Sequence, residues 1–206
     1  MSSERRTRNR VSIVCGVGIN DADYVTRDVV LIDGVQKTLW ICPFYNVWVK
    51  MIRRCYSESY HKRRPTYKDC VVCDEWLNFS NFRKWMVGQD WQGKQLDKDL
   101  LFVGNKLYSP DTCIFVVSKV NNFIIDNAAS RGLYLIGACF DKNKNKFSSY
   151  CNNPFTKELE YLGYHTSELE AHLTWKKRKH ELACQLADSE YVNDERLKEA
   201  LKNRFK

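Results

Sequence analysis

Residues 96 to 113 read LDKDLLFVGNKLYSPDTC, the stretch that most narrows what the chain can become. Two short apolar runs flank Gly104-Asn105, a turn-forming pair, and Pro110 bars a helix from continuing across the second run. The pattern predicts a β-hairpin. At its mouth stand Asp97 and Asp99 with Lys98 between them. Residues two apart on a strand share a face, so the two carboxylates should point the same way.

Elsewhere the apolar runs are equally short. None approaches the ~20 residues needed to span a bilayer. Arg5 and Arg6 precede a run from Val11 to Ile19, but it leads into Asn20-Asp21 with no small-residue cleavage site, which argues against a secretory signal. Nine scattered cysteines in 206 residues give no disulfide framework. A soluble, cytoplasmic, reduced protein is expected, in a host cell if phage-encoded, with no membrane partner. Lys and Arg outnumber Asp and Glu 33 to 25, a net charge of +8 that suits a phosphate-rich partner.

Residues 1–43 read as a polar basic arm followed by short strands at Val11 to Val17 and Asp28 to Ile32. The Gly-Val-Gly at 16–18 is a turn, since no third glycine or following helix makes it a dinucleotide site. Pro43 suits a helix start, with Tyr45, Trp48, Ile52 and Cys55 on one face and Arg53 and Arg54 leaving it. Residues 61–67 form a basic loop carrying Lys62, Arg63 and Arg64. A second helix buries Trp76, Phe79, Phe82 and Trp85. Ser118 caps a third. The hydrophobic pattern fails around Asn127 to Arg131, which predicts a domain boundary there. Residues 129–187 then read as three strands and a helix. That helix opens with a Ser167–Glu170 capping box and buries Ala171, Trp175, Leu182 and Leu186. Residues 188–206 add a short basic helix. The fold class expected is α+β.

Two stretches resemble known families. The elements W-x-x-M-x-x-R-C-Y (48–56), V-C-x-E-W-x-x-F-x-x-F (72–82), LDKD (96–99), YSPDTC (108–113) and VNN (120–122) resemble, in that order, the HNH or ββα-metal nucleases of phages and mobile introns. That assigns residues 44–128 to a nuclease domain. GLYLIGACFDKNKNKFSSYC and YLGYHTSELEAHLTW, within residues 131–187, resemble the ethylene-response-factor-like DNA-binding domain often fused to such nucleases. The resemblance implies a homing-type endonuclease that hydrolyses phosphodiester bonds in double-stranded DNA with one Mg²⁺ or Mn²⁺. Asp97 and Asn121 would be its ligands, and the catalytic group would be drawn from Asp97, Lys98, Asp99 and Asn121. Hard oxygen donors suit those cations. Arg53, Arg54, Lys62, Arg63 and Arg64 would reach DNA from the nuclease side. Lys142, Lys144, Lys146, Ser148 and Tyr150 would do so from the sheet.

The chain departs from the nuclease pattern at two places. Lys98 stands where the family carries its histidine base, and Thr112 where it carries the asparagine that supports that base. A lysine is a poor base near neutrality unless it is desolvated or crowded by cations. Asp99 is therefore a rival base or second ligand, Lys98 a phosphate-holding point charge, and His61 a remote further candidate. Two other readings stand beside this one: a DNA-binding regulator with a degenerate nuclease, and a zinc site in which Cys55 or Cys113 completes Cys70 and Cys73.

Overall fold

The computed structural model describes residues 11–125 and 133–206. The expected N-terminal arm and the boundary at Asn127 to Arg131 lie outside them. The chain is mixed α+β and forms two compact units. One holds the residues up to Gln92 together with Leu96–Phe115. The other holds Gly93–Gln95 and Val116–Lys206. Among the described residues, no helix is long and apolar enough to cross a membrane.

In chain order the first elements are β1 (Ser12–Val14), β2 (Gly18–Asn20), β3 (Arg27–Ile32), β4 (Val35–Ile41), α1 (Pro43–Tyr56) and α2 (Glu58–Arg63). There follow β5 (Val71–Val72), α3 (Phe79–Val87), β6 (Gln95–Asp97), β7 (Leu107–Tyr108) and β8 (Ile114–Val116). Pro43 opens α1, where a missing N–H costs nothing. Trp48, Ile52 and Cys55 are buried, as their spacing predicts, and Trp76, Phe79 and Phe82 close over them. The Trp48 indole Nε1 donates to Trp76 O at 2.8 Å, so this buried ring is also polar-satisfied.

Two expectations change here. Of the expected basic loop, His61 to Arg63 belong to a helix, because the Ser57 hydroxyl accepts from Tyr60 N and caps it, while Arg64 lies past its end. The hairpin is also rearranged: β6 pairs with β8, while β7 runs parallel to β5 through Val71–Leu107 and Val72–Tyr108. The apolar run after Asp99 is not a strand. Leu100 turns inward, Phe102 and Val103 turn out to solvent, and polar side chains hold the bend.

The second unit contains α4 (Ser118–Ile124), β9 (Ala138–Asp141), β10 (Lys146–Asn152), β11 (Leu159–His165), α5 (Glu168–Ala187) and α6 (Glu195–Asn203). Ser118 is the first residue of α4 and not its cap; Val117 takes that position. The three strands form one antiparallel sheet in the order β11-β10-β9. The predicted capping box forms in full at Ser167 and Glu170. Alternation along β10 sends Ser149 and Cys151 to the α5 side, where the Ser149 hydroxyl donates to Ala171 O at 2.8 Å. Lys146, Ser148 and Tyr150 take the opposite side.

Gly137 fixes how closely the sheet's first strand approaches α5. Its φ is +85°, and a Cβ there would overlap the Trp175 side chain. Replacing Gly137 with Ala combines that clash with left-handed strain, each worth roughly 1–3 kcal/mol. G137A should lower the melting temperature of the second unit by several degrees while the Trp48 core keeps its transition, as followed by near-UV and far-UV circular dichroism.

Candidate active site and nucleic-acid interface

Asp97 ends β6, and its carboxylate closes the bend that follows. Oδ1 accepts from Asp99 N at 2.9 Å and from Leu100 N at 2.7 Å. This turn, read in the sequence as an extended strand, swings Asp99 next to Asp97. Burial, and then the neighbouring Asp99 carboxylate, push the Asp97 carboxyl up from 3.8 to about 6. The two acids are brought together as expected, by a turn and not by strand alternation.

Lys98 is placed differently from a phosphate handle. It is 6% exposed, and its Nζ donates to Asn105 O at 2.8 Å and to Asp99 Oδ2 at 3.1 Å. The rings of Tyr67 and Tyr108 lie with their centroids 6.0 Å from the same nitrogen. Asn105 returns the contact, since its Nδ2 donates to Lys98 O at 2.6 Å and to Leu107 O at 2.7 Å. Lys98 is thus a structural post for the 98–108 segment, with its donors directed into the fold.

Thr112 is likewise spent on the fold. Its hydroxyl donates to Leu107 O at 2.7 Å and accepts from Ser109 N at 3.2 Å, closing the Ser-Pro-Asp-Thr turn. His61 Nε2 donates to Arg54 O at 2.9 Å. Asn121, in the second unit, donates through Nδ2 to Gln95 Oε1 at 2.6 Å, which uses the amide nitrogen and not the oxygen a cation would take.

The cysteines of the zinc alternative are buried, or half-buried at Cys73. Burial pushes the Cys55 and Cys113 thiols up to about 12 and raises those of Cys70 and Cys73 too. Among the described residues no three His, Cys, Asp or Glu side chains group as a metal would need.

Of the arginines and lysines assigned to DNA, Arg53, Lys62, Arg63 and Arg64 are exposed. Arg54 is half-buried, with its guanidinium 5.9 Å over the Tyr67 ring. On the sheet, Lys142, Lys144 and Lys146 are exposed. Ser148 is buried, and its hydroxyl donates to Cys139 O at 3.0 Å, so it shapes the sheet and offers little to a base. Tyr150 is half-buried and faces Tyr161, with ring centroids 5.5 Å apart.

Two residues of this face escaped the sequence reading. Tyr161 and Tyr164, both on β11, continue the aromatic row, with centroids 5.6 Å apart. Lys144 Nζ stands 4.2 Å from the Tyr164 ring centroid, and the Tyr164 hydroxyl donates to Asp141 Oδ2 at 2.7 Å. The two tyrosines are three residues apart, and the register shift that pairs Tyr161 with Tyr150 and Tyr164 with Ser148 brings both to one face of the sheet. The open face is therefore a tyrosine row edged by turn lysines.

The raised Asp97 carboxyl makes stability depend on pH in a set direction. The folded chain holds this proton more tightly than the unfolded one. The resulting stabilisation is complete below the ordinary value of 3.8 and is lost as pH rises to about 6. D97N keeps an oxygen to accept from Asp99 N and Leu100 N without the charge. It should raise the melting temperature at about pH 8 and change it little at about pH 4, with an effect on the order of 1–3 kcal/mol. Equal shifts at both pH values would show that Asp97 is not crowded. Comparison with family models, with curated proteins and with solved structures finds no match for this chain.

Proposed function

We propose that the chain is a DNA endonuclease of the HNH type that binds duplex through its C-terminal sheet and hydrolyses phosphodiester bonds near Asp97. The observation that carries this reading is the Asp97–Asp99 pair, two carboxylates crowded at a half-buried turn. It sits in a run of three short strands and a helix over residues 95–124, in which the first and third strands pair and α4 follows.

The donors suit the expected cation. Two aspartates offer hard oxygen, and the crowding that raises Asp97 is what a divalent ion relieves. Asp97 and Asp99 would hold Mg²⁺ or Mn²⁺, which would supply Lewis-acid stabilisation of the scissile phosphate and the leaving oxygen. The chain's own residues have narrower tasks. Asp97 and Asp99 place negative charge at a fixed point. Lys98 keeps the turn that carries them. Arg53, Lys62, Arg63 and Arg64 present positive charge on the surface of the same unit.

DNA capture falls to the second unit. The tyrosine row offers stacking and hydrogen-bonding surface, and Lys142, Lys144 and Lys146 supply phosphate contacts. Phosphate contacts set position and affinity, while groove-facing side chains set sequence.

A second reading is favoured by one observation. In this chain the position of the family's base is occupied by a lysine whose Nζ is hydrogen-bonded into the fold. A DNA-binding regulator with an inert nuclease unit would look the same there.

Plasmid incubated with full-length protein and Mn²⁺ or Mg²⁺ tests the choice. Cleavage is expected from the wild type and should fall at least ~10²-fold in D97N, with duplex affinity kept within a few fold. No cleavage by the wild type at intact affinity selects the regulator. Separately, K144A and K146A should each weaken duplex binding and reduce the slope of log affinity against log salt by about 1. Unchanged slopes would remove the sheet from the DNA interface.

A further inference from the structure

The second unit holds a cavity of about 600 Å³ between α4, the β10–β11 turn and α5. Lys119, Lys157 and Lys179 line it, together with Asn122, Asn152 and Phe123. Its volume is in the range of small-molecule sites, roughly 300–1,000 Å³. Neither the Asp97 turn nor the tyrosine row uses any of these groups.

Three ammonium groups around one cavity call for an anion. Among the described residues, none of the three is in an ion pair with a carboxylate. Two of them have rings as partners: Lys179 Nζ is 3.6 Å from the Phe123 ring centroid, and Lys119 Nζ is 3.7 Å from that of Tyr191. A ring face attracts a cation without neutralising it, so the positive charge stays directed at whatever enters. Burial lowers the Lys179 amine to about 8, the cost of holding a charge away from water with no counterion.

The rest of the lining is not that of a bare anion site. Asn122 and Asn152 carry amides that can donate and accept along a base edge. Phe123, Ile125 and Pro154 give an apolar wall. The turn that presents Lys157 is preformed. Buried Asn153 accepts at Oδ1 from Phe155 N at 2.8 Å and Thr156 N at 3.3 Å, and its carbonyl accepts from Lys157 N at 2.9 Å. Lys157 itself has φ +64°, where glycine or asparagine would be at lower cost. The chain keeps a lysine there despite the strain.

We propose that this cavity binds one nucleotide, with the lysines on its phosphate and the asparagine amides and Phe123 on its base. The nucleotide is free in solution or one unit of a strand; both present the same phosphate and base. The proposal rests neither on cleavage at Asp97 nor on duplex capture by the sheet.

The test is calorimetric titration of full-length protein with deoxyadenosine 5′-monophosphate, with deoxyadenosine as the control lacking phosphate. Saturable binding of the monophosphate is expected, at least ~10-fold tighter than the nucleoside, because the charge-assisted contacts belong to the phosphate. K157A alters an exposed side chain, and K179M keeps the length of a partly buried one. Each should weaken binding by roughly 5-fold or more while the thermal melt shows a folded protein. If K179M fails to fold, K157A and K119A carry the same comparison. Competition by a short single-stranded oligonucleotide assigns the site to a strand, and its absence assigns it to free nucleotide. Absence of saturable binding by both the monophosphate and the oligonucleotide, or wild-type affinity in the lysine variants, overturns the proposal.

Discussion

The buried ammonium of Lys98 is the interaction on which the 97–109 region depends. Removing a charge from water costs several kcal/mol unless partners surround it. Here Asp99, the carbonyl of Asn105 and the faces of Tyr67 and Tyr108 do so. Each partner is thereby fixed in turn. Asn105 is held facing Lys98 and locks Leu107 through its own amide, which lines up β7 with β5. Asp99 is drawn toward Lys98 and so kept beside Asp97. The acidic pair and the parallel β5–β7 contact are two consequences of one desolvated charge.

The same device recurs across the molecule. Arg54 lies over Tyr67, Lys119 over Tyr191, Lys144 over Tyr164 and Lys179 over Phe123. Such contacts contribute roughly 0.5–2 kcal/mol each and leave the net charge unchanged. In a chain with a net charge of +8 the difference from an ion pair matters. A carboxylate partner would cancel the field that attracts phosphate, whereas a ring positions the cation and preserves that field. Side-chain freedom is also lost on folding instead of on binding, which favours affinity.

How much of this was legible depends on whether the controlling contact is local. Pro43, the Trp48–Ile52–Cys55 face, the Ser167–Glu170 capping box and the α5 core positions follow from periodicity and capping, and all are found. The turn after Gly16 is local too. The strand after Asp99 was misread because Leu100 to Val103 looks like a β-segment, yet the Asp97 carboxylate captures two backbone N–H groups and bends the chain. Lys98 was read as a surface charge because its neighbours in sequence are acids. The groups that bury it, Tyr67 and Tyr108, come from 31 residues before and 10 residues after. Tyr161 and Tyr164 were passed over because their importance comes from pairing with β10, which no local rule reveals. Ser148 alternates correctly onto the open face, but its hydroxyl is taken by Cys139 O of the neighbouring strand.

The substitution of lysine for the family's histidine changes which group handles protons, on the endonuclease reading. A histidine at position 98 would bring its own near-neutral titration. A lysine donating to Asp99 and to a carbonyl has its nitrogen committed to the fold. Asp97 is the carboxyl that burial first, and then the neighbouring Asp99 carboxylate, raise to about 6 in this unit. A divalent cation would hold both acids ionised and turn the pair from proton holder to ligand. On that reading proton and cation would be alternative occupants of one site, and acid pH would oppose metal binding there.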